Sequence, residues 1–304
     1  MQSKKRIKKM NWRNLILVVA LSLSSTLTFA QSNLLNAKTP DQIGQKTEAD
    51  QLADNDKPLP YGYVHDRDIL MGKRIWEIVD LDERVNFPFY FPVEGDLGPD
   101  RKPLYKVLID GIKDGKITEI YDSSYFTAKK SLKDIEQSLV FIDTTDAGRE
   151  YYNAGETIPE EYITKTQIEA YHVDAYKIVG YWYFDKRQGE LKYRMLGICP
   201  VVPDVYTMNN DEKDYIELFW VYFPAARDIL HEAKAFNNRN SAMPFTFDHL
   251  LNARRFSAVI YLEENVYGDR MIKDYMKENA QMQLLESERV KEKIRDFEQD
   301  MWNY

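Results

Sequence analysis

Cysteine occurs once in this chain of 304 residues, at Cys199. A single thiol closes no internal bridge and supplies no multi-cysteine zinc or iron–sulfur site. Histidine is nearly as scarce, with four residues, which leaves few ways to build an imidazole metal centre. The compact motifs of catalysis are missing too: no GxxxxGK(S/T) phosphate loop, no GxGxxG, no HExxH, no CxxC and no GxSxG. His65-Asp66-Arg67-Asp68 sets an imidazole near two carboxylates, but adjacent residues rarely converge on one ion, and a turn is expected. Asn209-Asn210-Asp211-Glu212 lacks the alternating ligands, central glycine and terminal glutamate of a calcium loop and reads as a solvated turn. Glu160-Glu161 and Glu263-Glu264 could be offered as a glycosidase pair, yet in a chain with 49 acids such pairs carry no specificity. The residues therefore point to no catalytic residue, no cofactor and no metal.

Charge and aromatic content are unevenly distributed. The first thirty residues hold Lys4, Lys5, Arg6, Lys8, Lys9 and Arg13 and no acid, followed by the apolar run Leu15 to Leu27 and by Thr28-Phe29-Ala30. That is the layout of a secretory signal peptide, with an apolar run too short to span a bilayer comfortably. Gln31 rather than cysteine follows the expected cut, so a soluble exported protein without a lipid anchor is expected. Removing the segment leaves 35 basic against 49 acidic residues, a net charge of −14. So acidic a chain repels nucleic acid and anionic lipid, and basic faces of other proteins suit it better. Residues 31–60 contain no Phe, Tyr or Trp and are rich in polar residues, which predicts a flexible or extended polar arm. From Tyr61 the texture changes, and 38 of the 40 aromatics lie in 61–304, as suits a sheet-containing domain.

Several elements can be read from pattern. Leu104–Ile112 reads as a helix stopped at Lys113-Asp114-Gly115, with a strand over Ile117–Tyr121. Thr164 and Gln167 have capping-box spacing. Ala175–Phe184 and Glu190–Ile198 flank a turn and read as a hairpin, with Leu191, Tyr193 and Met195 alternating against Glu190, Lys192 and Arg194. Tyr215–Phe223 reads as a strand, and Pro224 is placed to open a helix over Ala225–Phe236. Cys199, within Ile198-Cys199-Pro200-Val201-Val202, is expected in the core. The fold class is α+β: an antiparallel-sheet-containing core over 61–268, with short helices, then a long helix over 269–304. Asp269–Trp302 has no Gly or Pro, and Val290, Ile294, Phe297 and Met301 form an apolar stripe. At full length such a helix would reach roughly 50 Å, enough for part of it to meet another chain. Ile69–Val85 also aligns without gaps to Leu250–Val266, pairing Leu70 with Leu251, Arg74 with Arg255 and Glu83 with Glu264. The alignment is either chance or an internal duplication, and a duplication requires the two segments to superpose.

Longer stretches carry a family resemblance. Lys73-Arg74-Ile75-Trp76 through Asp80-Leu81 to Asn86-Phe87-Pro88-Phe89-Tyr90-Phe91-Pro92 resembles the gliding-motility GldN/PorN family. Leu104-Tyr105-Lys106-Val107-Leu108 with Gly115-Lys116-Ile117-Thr118 continues it. The strongest stretch runs from Thr246-Phe247-Asp248 through Arg255-Phe256-Ser257 to Tyr261-Leu262-Glu263-Glu264-Asn265-Val266-Tyr267. The resemblance covers about residues 61–270. It implies a non-catalytic periplasmic subunit of the type IX secretion system, assembled in many copies with an outer-membrane lipoprotein, GldK or PorK, into a large ring. It also implies a motor formed by GldL and GldM (PorM) that acts on the ring, and no enzyme activity.

Under that reading the candidate protein contacts are Arg254, Arg255, Tyr261, Tyr267 and the C-terminal stripe at Ile294 and Phe297. The bland alternative for the arginine pair is an internal ion pair with Glu263 or Glu264. Two other functions remain open: a glycan- or peptide-binding module, which requires coplanar exposed rings, and a periplasmic hydrolase, which requires convergent carboxylates or a positioned nucleophile in a cleft.

Overall fold

The computed structural model describes residues 56–302 other than 94–101, 145, 156, 158, 209–212, 238–244 and 278, together with Thr39. The signal segment, nearly all of the polar arm and the Asn209–Glu212 turn thus lie outside the described residues. All of the architecture belongs to the unit formed by Lys57–Tyr304. In chain order it runs β1 (Ile69–Asp80), α1 (Phe87–Tyr90), α2 (Leu104–Lys113), β2 (Ile120–Tyr121), α3 (Leu132–Leu139), β3 (Val140–Thr144), α4 (Asp146–Asn153) and β4 (Ile163–Gln167). It continues β5 (Ala175–Asp185), β6 (Glu190–Pro203), β7 (Tyr215–Glu217), β8 (Trp220–Tyr222), α5 (Phe223–Glu232), β9 (Lys234–Ala235), β10 (Phe245–Thr246), α6 (Phe247–Asn252), β11 (Val259–Glu263), α7 (Ile272–Tyr275) and α8 (Ala280–Trp302).

The main sheet has the order β11-β1-β5-β6-β8-β2, with β7 also on β6, and every pairing in it is antiparallel. The hairpin read from the sequence, β5 with β6, is its centre. Alternation along a strand sends successive side chains to opposite faces. Val79, Tyr176, Ile178, Met195, Ile198 and Val202 point to one face, where they meet Leu104 and Leu108 of α2, Phe223 and Leu230 of α5, and Phe247 and Leu251 of α6. Further along the same face Ile75 and Ile260 pack on Val290 and Ile294 of α8. Each such buried aliphatic contributes about 1.5–3 kcal/mol. The opposite face carries a smaller cluster of Trp76, Val179, Cys199, Trp220 and Leu262, covered by Phe126 and Tyr121 rather than by a helix. Gly180 is required where it stands, because the Tyr193 hydroxyl occupies the space that a Cβ would need, and Tyr181 lies in the same way across Gly72.

The α+β class, the antiparallel sheet, α2, the hairpin, Pro224 in the first turn of α5 and the fully buried Cys199 agree with the sequence reading. Five details differ. The helix expected over Ala225–Phe236 runs over Phe223–Glu232, and Lys234–Ala235 pairs with β10 instead. The strand expected over Ile117–Tyr121 is reduced to Ile120–Tyr121, and that expected over Tyr215–Phe223 is broken into β7 and β8 around buried Leu218 and Phe219. Thr164 and Gln167 sit in β4, paired to β3, because cross-strand bonds outweigh a local cap. The C-terminal helix is interrupted: Asn279 takes an N-cap role, its Oδ1 accepting the Gln281 N–H at 2.9 Å, and α8 begins at Ala280. Its 23 residues span roughly 35 Å rather than 50. The two segments of the alignment also take different courses. Ile69–Asp80 is continuous strand, whereas Leu250–Asn252 closes α6 and a connector precedes β11. Within the sheet, β1 and β11 pair with one another.

Candidate functional site

Beneath the helices lies a buried charge. Glu77 alternates with Ile75 and Val79 onto the helix-covered face, where its side chain is 2% exposed. Arg254, in the left-handed region at φ +50°, turns back from the end of α6 and grips it with two bonds, Nη1 to Oε2 at 2.8 Å and Nη2 to Oε1 at 2.7 Å. The guanidinium also lies near the rings of Tyr193, Trp182 and Phe256, at 4.2, 5.2 and 5.2 Å. A carboxylate held this way is tolerated in the core only because both oxygens have donors. Arg254 is thus a structural clasp between β1 and the α6–β11 connector, and its partner is Glu77 rather than Glu263 or Glu264.

A second clasp fixes the start of the described chain. Tyr61 donates its hydroxyl to Asn252 Oδ1 at 2.7 Å, with the guanidiniums of Arg227 and Arg194 over its ring at 4.3 and 4.7 Å. Arg227 itself holds Asp248 by two bonds of 2.8 and 3.0 Å. Burial, opposed by the Arg227 charge, pushes the Tyr61 hydroxyl up to about 12.

Outward-facing residues are concentrated elsewhere. After β11 the chain makes a tight loop whose tip carries Val266 and Tyr267, 93% and 81% exposed. Asn265 holds the loop from within: its Oδ1 accepts the N–H groups of Tyr267 and Arg270, and its Nδ2 donates to the carbonyls of Glu263 and Arg270. Asp269, also left-handed at φ +57°, accepts the Asn265 N–H on one oxygen and the Tyr125 hydroxyl on the other. The apolar tip is therefore held in place before any partner arrives, and pre-organisation of this kind lowers the entropy of docking. Isolated exposed apolar side chains are ordinary, but a pair on a loop braced by six hydrogen bonds is a candidate contact. The first turns of α8 expose Met282, Leu284 and Leu285 as well. Between them and β11 lies a mostly apolar cavity of about 450 Å³, walled by Ile78, Tyr261, Met271 and Leu284.

The six residues singled out in the sequence divide accordingly. Tyr267 and Arg255 face outward, Arg255 against the Phe245 ring at 5.0 Å. Tyr261 is half-buried at the cavity wall under Lys177, and burial followed by the Glu217 charge raises its hydroxyl. Ile294 and Phe297 are spent on the chain's own sheet, Phe297 edge-on to Phe184. Arg254 is the clasp. Sequence pattern missed Asn265 and Asp269, whose value lies in the loop they hold, and Arg74, described below. Among the described residues no group of three or more His, Cys, Asp or Glu side chains could hold a metal ion, and no helix is long and apolar enough to cross a membrane.

Comparison with known proteins adds the family. Nothing among curated proteins matches the chain. Residues 64–303, which include both clasps' acidic or basic partners and the braced loop, match the family described as gliding motility associated protein GldN. That family is one of structural gliding-motility components. This match spans more than half of the sequence, and the chain belongs to the GldN family, which makes it a component of the gliding-motility and type IX secretion apparatus.

Proposed function

We propose that the protein is a non-catalytic structural subunit that works in the periplasm. It assembles with an outer-membrane lipoprotein of the GldK/PorK kind into a large ring, on which the periplasmic part of a GldM/PorM motor protein acts. The observation that carries this reading is the braced loop, which holds Val266 and Tyr267 almost fully in solvent. Tyrosine on a rigid support is what protein contacts favour, since it offers large area and loses little side-chain entropy on docking. The expected signal peptide and net charge of −14 suit an exported protein whose partners present basic surfaces.

The glycan-binding alternative needs a platform of coplanar exposed rings. Tyr181 and Tyr183 are near-parallel, at 24°, but Tyr183 is buried, so this pair offers one ring and not two. The test is co-elution. The exported chain mixed with its lipoprotein partner should run as one large species by size-exclusion with light scattering. Val266→Ser with Tyr267→Ser should weaken the complex by about tenfold or more. Clean monomers that never co-elute would sink the proposal.

A further inference from the structure

The open face of the sheet carries an arginine that lies over the Trp76 ring, 5.9 Å from its centre, and has no acid to hold among the described residues. Arg74 alternates with Trp76 onto that face and stands across from Tyr181 of β5, which in turn stands across from Arg194 of β6. Its Nε is buried and has no hydrogen-bond partner, and no carboxylate among the described residues lies within ion-pair distance of its guanidinium. The nearest acids are already engaged: Glu264 accepts the Arg74 main-chain N–H, and Asp269 braces the loop. A guanidinium is a planar fork built for a carboxylate, so a half-buried one without an acceptor, in a chain with a surplus of acids, is incomplete. Around it are the exposed ring of Tyr125, itself 5.6 Å from Trp76, the flat-lying Tyr181, and the loop bearing Val266 and Tyr267, tied to Tyr125 through Asp269. Arginine set among tyrosines is the composition of an interface centre.

The opposite chemistry lies on the other side of the molecule. Helix α8 packs Val290 and Ile294 onto the covered face, so its outer side points away from the sheet. At helical spacing that outer side reads Leu285, Glu288, Glu292, Asp296, all exposed, with exposed Met282 beside Leu285. Among the described residues Glu288 and Glu292 pair with Lys291 and Arg295 along the same helix, solvent-exposed contacts that a better partner displaces easily.

We propose that the open face of one copy receives the outer side of α8 from a second copy, with Arg74 taking a carboxylate of the Glu288–Glu292–Asp296 stripe and Tyr125 and Tyr181 receiving Leu285 and Met282. This rests on the reading of the protein as an assembling subunit and names the surfaces that meet. Because the two surfaces lie on opposite faces of one sheet, the contact is head-to-tail. A row of copies always keeps one free platform at one end and one free helix at the other, so it grows until the two ends meet.

Sedimentation velocity on the exported chain tests the contact. The wild-type chain should associate beyond dimers as concentration rises, and less so as salt is added. Arg74→Ala removes the platform charge without supplying a partner for a basic stripe, and the pair Glu288→Lys with Glu292→Lys removes the stripe. Each alone should weaken association at least about tenfold. Mixed one to one, the two variants should recover association but stop at two copies, since the mixture contains one intact platform and one intact stripe. Melting curves should stay close to the wild type for Arg74→Ala, whose side chain lies over Trp76 of its own strand and holds no other element, so lost association cannot be laid to misfolding. Three outcomes overturn the inference: a wild-type chain that stays monomeric into the hundreds of micromolar, variants that associate as the wild type does, or a mixture that grows past two copies. If any of these occurs while the wild-type chain still co-elutes with its lipoprotein, this pair of surfaces is wrong and the assembling-subunit reading stands. If co-elution is lost as well, both fall.

Discussion

Two arginines show how the two faces of the sheet differ. Arg254 reaches the helix-covered face and is fully used, with a carboxylate gripped by two bonds and three rings around it. Arg74 leaves β1 three residues before that carboxylate, emerges on the other face and finds no acceptor. One strand thus supplies a completed internal contact on one side and an uncompleted one on the other. The covered face is where this protein holds itself together; the open face and the braced loop beside it are where it has capacity left for something else.

Substitutions can sharpen or break that contrast. The largest effect is expected from Arg254→Ala, which strands the buried Glu77 carboxylate and should cost about 3–5 kcal/mol, read by denaturant unfolding. Replacing both partners by apolar residues should recover much of the loss, and a loss that stays whole would show that the rings rather than the charge matter. Next is Ile294→Ala, which opens a cavity between α8 and β1 and should cost about 2–5 kcal/mol. Tyr61→Phe should cost about 1 kcal/mol at neutral pH through the lost bond to Asn252. It should also soften the alkaline response. Burial raises the hydroxyls of Tyr61, Tyr105, Tyr176, Tyr193 and Tyr261 above the free value of 10. Between that value and the folded ones the unfolded chain gives up protons that the folded chain keeps, so stability is intact below pH 10 and falls as pH rises past it. Melting temperatures followed from pH 8 to about 12 check the sign. The smallest effect on stability, within about 0.5 kcal/mol, belongs to Tyr267→Ser on the exposed loop, although its effect on assembly should be large.

These contrasts also mark what the sequence could and could not show. The β5–β6 hairpin was legible because alternation, a five-residue turn and a glycine all agree locally. Helix α2 was legible for the same reason, with Gly115 at φ +69° just past its end. The break before α8 is different: helix-forming residues run through it without Gly or Pro, and the stop depends on α7 docking against β11 and on Asn279, a cap signal that a search for breakers passes over. The Thr164–Gln167 spacing was equally ambiguous, since alternating threonines suit a strand once a partner such as β3 exists. The site was less legible than the fold. Tyr267 stood out as an aromatic beside acids, but the clasp at Arg254 joins residues 177 positions apart, and only the assembled register shows that Glu77 is spoken for and Arg74 is not.

The lone thiol of Cys199 projects from β6 onto the face covered by Phe126 and Tyr121, packed with Trp76, Val179 and Trp220, and burial holds it protonated. That placement keeps the thiol out of reach of oxidants and of other thiols while the cover over it stays closed. It also gives the molecule a built-in clock: a thiol-reactive dye can mark Cys199 only when the cover over that face opens, so the labelling rate counts those openings with no engineered probe.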